Sequence, residues 1–267
     1  MADRKGCGVF ESPHLTSPCG RGNPKARLLG VLRLPLDDYV AGLHACLGDF
    51  RPVRLGVVVL VALCSWWLYV PVHELSHAYG CILTGGTVTR LEIAPLYGAA
   101  WLQRFVPFVA VGSQYAGQLT DFDTYGNDWI YLATDAAPFL WTVLIGVPLL
   151  RAVRPDPRHP MRQCLMFGGA LPLAFAPFIS LSGDYYEMGS IVVSDAASLW
   201  LPSSIADRWR SDDIFRLLPT LSASQAGISL LDGIGVGMSL LLGTALAFGT
   251  YWLGTLVAGA RARWSPG

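Results

Sequence analysis

The sequence predicts an all-α fold: a polytopic transmembrane bundle of four spans, with a fifth, weaker candidate span and a small β-like re-entrant hairpin. Three observations carry this. Hydrophobic residues make up 52% of the 267-residue chain and charged residues only 14%, against about 25% charged in a soluble domain. Four stretches reach the roughly 20 mostly apolar residues that a helix needs to cross hydrocarbon. The 29 Gly and 18 Pro lie largely within or beside those stretches, where membrane helices tolerate them.

Taken in order, residues 1–27 read as a disordered polar tail, rich in Gly, Ser and Pro. Its start does not read as a signal peptide, so insertion is expected to use internal apolar segments. Cys7 and Cys19 form one wide spacing in that tail, which leaves both a disulfide and the redox compartment open. Cys64, Cys81 and Cys164 lie in or beside apolar runs and read as small packing residues. Residues 28–54 are too charged to span and suit an amphipathic pre-membrane segment. Residues 55–262 then form one transmembrane domain, with spans expected over 55–83, 129–150, 163–181 and 226–260. Residues 185–201 are the weaker fifth candidate.

The connection between the first two spans opens with Gly85-Gly86-Thr87-Val88-Thr89-Arg90-Leu91-Glu92-Ile93, which alternates like a short strand. Pro95 and Gly98 punctuate it, and residues 105–111 are apolar but too short to cross. A re-entrant or interfacial hairpin fits, provided that protein or a wet cavity covers its backbone. Arg51 and Arg54 precede the first span, Arg151, Arg154, Arg158 and Arg162 join the second to the third, and Arg261 and Arg263 follow the fourth. The positive-inside tendency assigns all three groups to the cytoplasm, which four crossings satisfy and five do not. Lys+Arg and Asp+Glu balance at 19 each, which argues against nucleic acid as a partner, since no net positive field releases counterions.

The residues that carry chemistry are Val72-His73-Glu74-Leu75-Ser76-His77. Four helical residues advance about 400°, so His73 and His77 share a face one turn apart. Two imidazoles stacked in this way can bind one Zn²⁺, and Glu74 can meet a water held beside it. The motif is short enough to arise by chance on a polar helix face. Here it follows an apolar run with Trp66 and Trp67, at a depth where two His and a Glu are costly unless paired or functional. Pro71, just before it, removes one backbone bond and can kink the helix. A third protein ligand is needed. His14, His44 and His159 lie in polar segments and read as solvated. That leaves a carboxylate near membrane depth: Asp135, Asp184 or Asp232. The competing readings are a helix N-cap for Asp184, which has capping-box spacing to Glu187, a snorkelling polar group for Asp232 and an interhelical hydrogen bond for Asp135.

His73-Glu74-Leu75-Ser76-His77 at the end of a membrane span, followed by Gly85-Gly86-Thr87-Val88, resembles the site-2 protease group of intramembrane metalloproteases (peptidase family M50). Residues 87–97 resemble that family's hairpin region, and Ala136-Ala137-Pro138 its Ala-Gly-Pro segment. Ala176-Pro177-Phe178 with Ser182-Gly183-Asp184-Tyr185-Tyr186 resembles the segment that delivers an Asp ligand. The resemblance covers about residues 55–200, and its one specific motif is the histidine pair with its Glu. The order Gly183-Asp184 reverses the family's Asp-Gly, and Trp141 stands near the place of an Asn. Leu231-Asp232-Gly233 matches the literal Leu-Asp-Gly text but comes late and without the Pro.

The resemblance implies a zinc endopeptidase that cuts in or near a transmembrane segment of a substrate membrane protein. His73, His77 and Asp184 would bind the metal, and Glu74 would act as general base and acid. The apolar spans imply a location in a membrane, expected to be the cell membrane, and with no PDZ-like or nucleotide-sensing domain read in the sequence, control is expected from regulatory membrane partners. One rival is a non-catalytic metal-binding membrane protein: a transporter, a sensor or an inactive scaffold of the same fold. A histidine-box oxidase would need more histidines than the 5 present.

Overall fold

The structure, a computed structural model, describes residues 24–48, 51–223 and 227–264, with the side chains of residues 24–28 left aside. The tail expected over residues 1–27, with Cys7, Cys19 and His14, lies outside the described residues as far as residue 23. Residues 24–27 instead open helix α1 (Pro24–Leu47). About 75% of the chain is helical, around one small sheet.

Four helical segments are long and apolar enough to cross a membrane: Pro52–Leu83, Asp128–Ala152, Pro160–Ser182 and Leu230–Trp264. The first is helix α2 (Pro52–Leu83), which begins on a proline whose missing N–H costs nothing there. It ends at Gly85, at φ 105°, where most side chains would be strained. Gly86 N–H then reaches back to the Cys81 carbonyl at 2.9 Å and Gly85 N–H to that of Ile82 at 3.2 Å, the paired bonds of a Schellman cap. Along α2, Val59, Leu60, Leu63, Trp67 and Leu68 are all exposed. A stripe of that kind would be an aggregation liability in water, and it suits contact with lipid.

After α2 the chain forms strand β1 (Thr87–Ile93), a short helix α3 (Ala99–Leu102), β2 (Val109–Val111) and β3 (Gly117–Asp123). The sheet order is β2-β1-β3, with β1 parallel to β2 and antiparallel to β3. The expected hairpin is therefore a mixed three-stranded sheet in which β1 pairs most extensively with a strand about 30 residues downstream, Thr87 facing Asp123 and Ile93 facing Gly117. Leu91, Ile93 and Val109 are buried against Ala78 of α2 and Ala99 of α3.

The second span is interrupted. Helix α4 (Asp128–Ala136) passes through a 3-10 turn (Ala137–Phe139) and a π-helical turn (Thr142–Gly146) into α5 (Val147–Ala152). Pro138 has no N–H for the Thr134 carbonyl four residues back. In helix α6 (Pro160–Ile179), Pro177 frees the Leu173 carbonyl in the same way, and Thr142 Oγ donates to it at 2.6 Å, so the vacated acceptor is satisfied inside the bundle.

The fifth candidate span is not one of the four. Helix α7 (Asp184–Ser198) has 15 residues, about 22 Å of rise, short of the roughly 30 Å of hydrocarbon. Short helices α8 (Ser203–Ala206) and α9 (Ile214–Ala223) follow, and α10 (Leu230–Trp264) completes the bundle. Helix α7 lies tightly on α10. A Cβ on Gly243 would strike the Tyr185 carbonyl carbon at 2.8 Å, and one on Gly189 would lie 3.0 Å from Gly243 N. Small residues at such a crossing are the usual means of close helix approach in membranes. Gly243→Leu is expected to cost about 1–3 kcal/mol by overpacking, read as a lowered thermal midpoint in detergent.

Helix α1 packs against α6, α5 and α10. Arg151 Nε lies 3.3 Å from Asp38 Oδ1, and Tyr251 Oη donates to Asp38 Oδ2 at 3.0 Å. Burial raises the Asp38 carboxyl above its usual range, and Arg151 opposes this. The contact ties α1 to the end of the second span and to α10. Cys81 and Cys164 are buried packing residues as read, whereas Cys64 is exposed.

Candidate metal centre

Two helices converge within the bundle. Helix α2 supplies His73 and His77 on one face, and α7 supplies Asp184 at its first residue. The chain turns at Gly183 between a 3-10 turn (Ser180–Ser182) and α7, so Asp184 starts a helix instead of sitting within one. An anion in that first turn is favoured by the exposed N–H groups and the helix dipole.

His73 Nε2 and His77 Nε2 lie 3.2 Å apart. Asp184 Oδ2 is 3.3 Å from His73 Nε2, and Oδ1 is 3.7 Å from His77 Nε2. Asp184 Oδ2 is buried and accepts no hydrogen bond. Donors held about 2.0–2.1 Å from a tetrahedral ion lie about 3.3 Å from one another. The His73–His77 and His73–Asp184 separations match an edge of such a tetrahedron and the His77–Asp184 separation is wider, so the three side chains are grouped closely enough to hold one metal ion. Among the described residues this is the one group of His, Cys, Asp or Glu suited to a metal ion.

The outward nitrogens are engaged as well. His77 Nδ1–H donates to the Thr134 carbonyl at 2.9 Å, the acceptor that Pro138 leaves vacant in the second span. His73 Nδ1 lies 3.2 Å from the Tyr69 hydroxyl, one turn back on α2. Both contacts fix the ring orientation so that each Nε2 faces the centre. Phe139 packs edge-on to His73 and against Tyr185, which seals one side.

Glu74 and both histidines line a cavity of about 650 Å³. Its sheet-side wall is β3, and Gly117 lies directly on the Glu74 carboxylate, where any side chain would collide with it. The far wall includes Tyr131, Asp135, Glu187 and residues of the α8–α9 connection. Arg216 of α9 sits over the Tyr115 ring at 4.7 Å, so loop and helix meet across the cavity.

The other sequence candidates separate clearly. Asp232 is fully buried and committed elsewhere: it accepts from Ser229 N at 2.8 Å and Ser229 Oγ at 2.7 Å, with Arg208 at 3.0 Å. It braces the start of α10, so snorkelling does not describe it. Asp135 lines the cavity but does not join the histidines. The capping box read for Asp184 and Glu187 is absent, since Glu187 Oε1 accepts from the Tyr131 hydroxyl at 2.6 Å. His44 and His159 are exposed, as expected. Trp141 donates to Ser76 Oγ at 2.9 Å on the outer side of α2.

Sequence reasoning missed Tyr69, Thr134 and Gly117. The i, i+4 spacing from His73 points to Tyr69, and the proline four residues after Thr134 marks its free carbonyl. Nothing local marks Gly117. No protein-family model, curated protein or solved structure matches this chain.

Proposed function

We propose that this chain is a zinc-dependent intramembrane endopeptidase of the site-2 protease type, cutting a peptide bond in or near a transmembrane segment of another membrane protein. The observation that carries the reading is the His73, His77 and Asp184 triangle with Glu74 beside it, opening on a cavity within an apolar bundle. The resemblance of residues 55–200 to that family points the same way. His73, His77 and Asp184 hold the metal through two nitrogens and a carboxylate, the donor set expected of a catalytic zinc site that keeps one position open. When bound, zinc supplies Lewis acidity toward the scissile carbonyl and makes water a usable nucleophile at neutral pH.

The chain's own residues do the rest. Glu74, next to His73 and lining the cavity, takes the proton of the attacking water and returns it to the leaving amide nitrogen. The outer edge of β3 borders the cavity, so an extended substrate segment can add to the sheet there and present its carbonyl to the centre. That requires a substrate helix to unwind, which a wet cavity inside the bundle favours. The cell membrane is the proposed location, and membrane partners are the proposed source of control.

A non-catalytic metal-binding role is the second reading, and the test separates the two. The full chain is reconstituted in liposomes with a labelled single-span protein. Cleavage is expected to stop when zinc is stripped with a chelator and to return when Zn²⁺ is added back. Cleavage that persists in the metal-free protein removes the proposal.

A further inference from the structure

The cavity holds more negative charge than a metal and a general base require. Six carboxylates line it (Glu74, Asp135, Asp184, Glu187, Asp212 and Asp213), with only two guanidinium groups, Arg210 and Arg216. Both guanidinium groups are already engaged. Arg210 is clamped on Asp128, with Asp195 at 3.9 Å, and Arg216 is 3.3 Å from Asp212. Asp184 belongs to the metal centre, Glu74 to the proton, and Asp213 accepts from Phe215 N at 2.7 Å at the start of α9. Asp135 and Glu187 remain.

Asp135 is only 4% exposed, and its Oδ2 has no hydrogen-bonding partner. Glu187 has the Tyr131 hydroxyl on one oxygen. A carboxylate withdrawn from water and left unpaired is costly, and such a cost persists where a ligand relieves it. We infer that Asp135 and Glu187 form a subsite that receives a basic side chain, the ammonium of Lys or the guanidinium of Arg, from the bound substrate segment. This rests on the protease reading and deepens it.

The position follows from the helix. Asp184 and Glu187 are three residues apart on α7, so they share a face with Cβ atoms about 5–6 Å apart. An extended chain advances about 3.3 Å per residue. The cationic residue therefore falls within about two residues of the scissile bond. Basic side chains are scarce in transmembrane segments because lipid does not solvate them. A subsite of this kind would pick a small class of substrates from a membrane full of apolar helices.

Binding tests this without requiring turnover. On full-length Glu74→Gln protein in detergent, a single Lys is walked through about six central positions of a labelled neutral apolar peptide, with norleucine at the same position as control. One or two positions are expected to bind at least about tenfold tighter with Lys, the worth of a hydrogen bond to a charged group. Asp135→Asn and Glu187→Gln, each added to that background, are expected to bring the ratio toward one. The ratio compares two peptides on the same protein, so a lower folded fraction cancels, and retained zinc confirms an intact centre. No Lys preference at any position, or a preference that survives both substitutions, overturns the subsite; two carboxylates that merely share a proton give that result. The same peptides cut by protein with Glu74 intact test the protease reading separately. Absence of any cleavage sinks that reading, while the binding ratio still decides the subsite.

Discussion

Glu74→Gln is expected to lower the cleavage rate by about 10²–10⁴-fold while zinc content stays that of the wild type, since this is the span attributed to a positioned general acid–base group. The expectation is sharp because Glu74 is not part of the metal triangle, although it adjoins His73 in sequence. Glutamine keeps the shape that packs on Gly117, so the sheet should hold its place. What changes is proton affinity: an amide oxygen cannot take a proton from water at neutral pH. The measurement pairs initial cleavage rates with metal analysis of the same preparation. A variant that cleaves at the wild-type rate would assign the proton to another group and revive the non-catalytic reading. A variant that loses zinc would mean that Glu74 acts as a ligand instead.

Asp184→Ala has the second large effect. Zinc affinity is expected to fall by more than about 100-fold, beyond the 10–100-fold typical of losing an outer-sphere partner, with cleavage falling in step. Asp184 is the one donor from outside α2, and its two oxygens lie 3.3 Å and 3.7 Å from the two imidazoles. Removing it leaves two nitrogens from a single helix. Asp232→Asn is the matched control: Asp232 is tied to Ser229 and Arg208 at the start of α10, so its loss should lower stability and leave zinc stoichiometric. Competition with a chromogenic chelator measures all three proteins. Wild-type affinity in Asp184→Ala would dissolve the triangle.

Much of this was legible in the chain, and the reasons for the rest are physical. Spans are read from length and apolarity, which are local, and the four found over 55–83, 129–150, 163–181 and 226–260 agree with the helices to within a few residues. The histidine pair is equally local, since helical spacing alone puts both rings on one face. The fifth candidate misled because composition reports that a segment suits lipid, not how deep it begins. Helix α7 starts at Asp184, beside the two histidines, and its 15 residues are too few to cross the hydrocarbon. The sheet misled for the opposite reason: alternation marks β1, but its partner β3 is a matter of long-range pairing that no local pattern encodes. Gly117 escapes notice on the same ground. The choice among Asp135, Asp184 and Asp232 was open on the residues alone and rested on the family resemblance.

Pro138 carries a consequence for engineering. Judged by helix propensity, it is a flaw in the second span, and a designer seeking a sturdier protein would replace it with alanine. Yet the bond it forgoes is what leaves the Thr134 oxygen available to steer the His77 ring. Restoring the regular ladder would set the backbone in competition with the imidazole for one acceptor. Heat resistance and metal retention would then trade against each other at a residue that touches neither the ion nor the cavity.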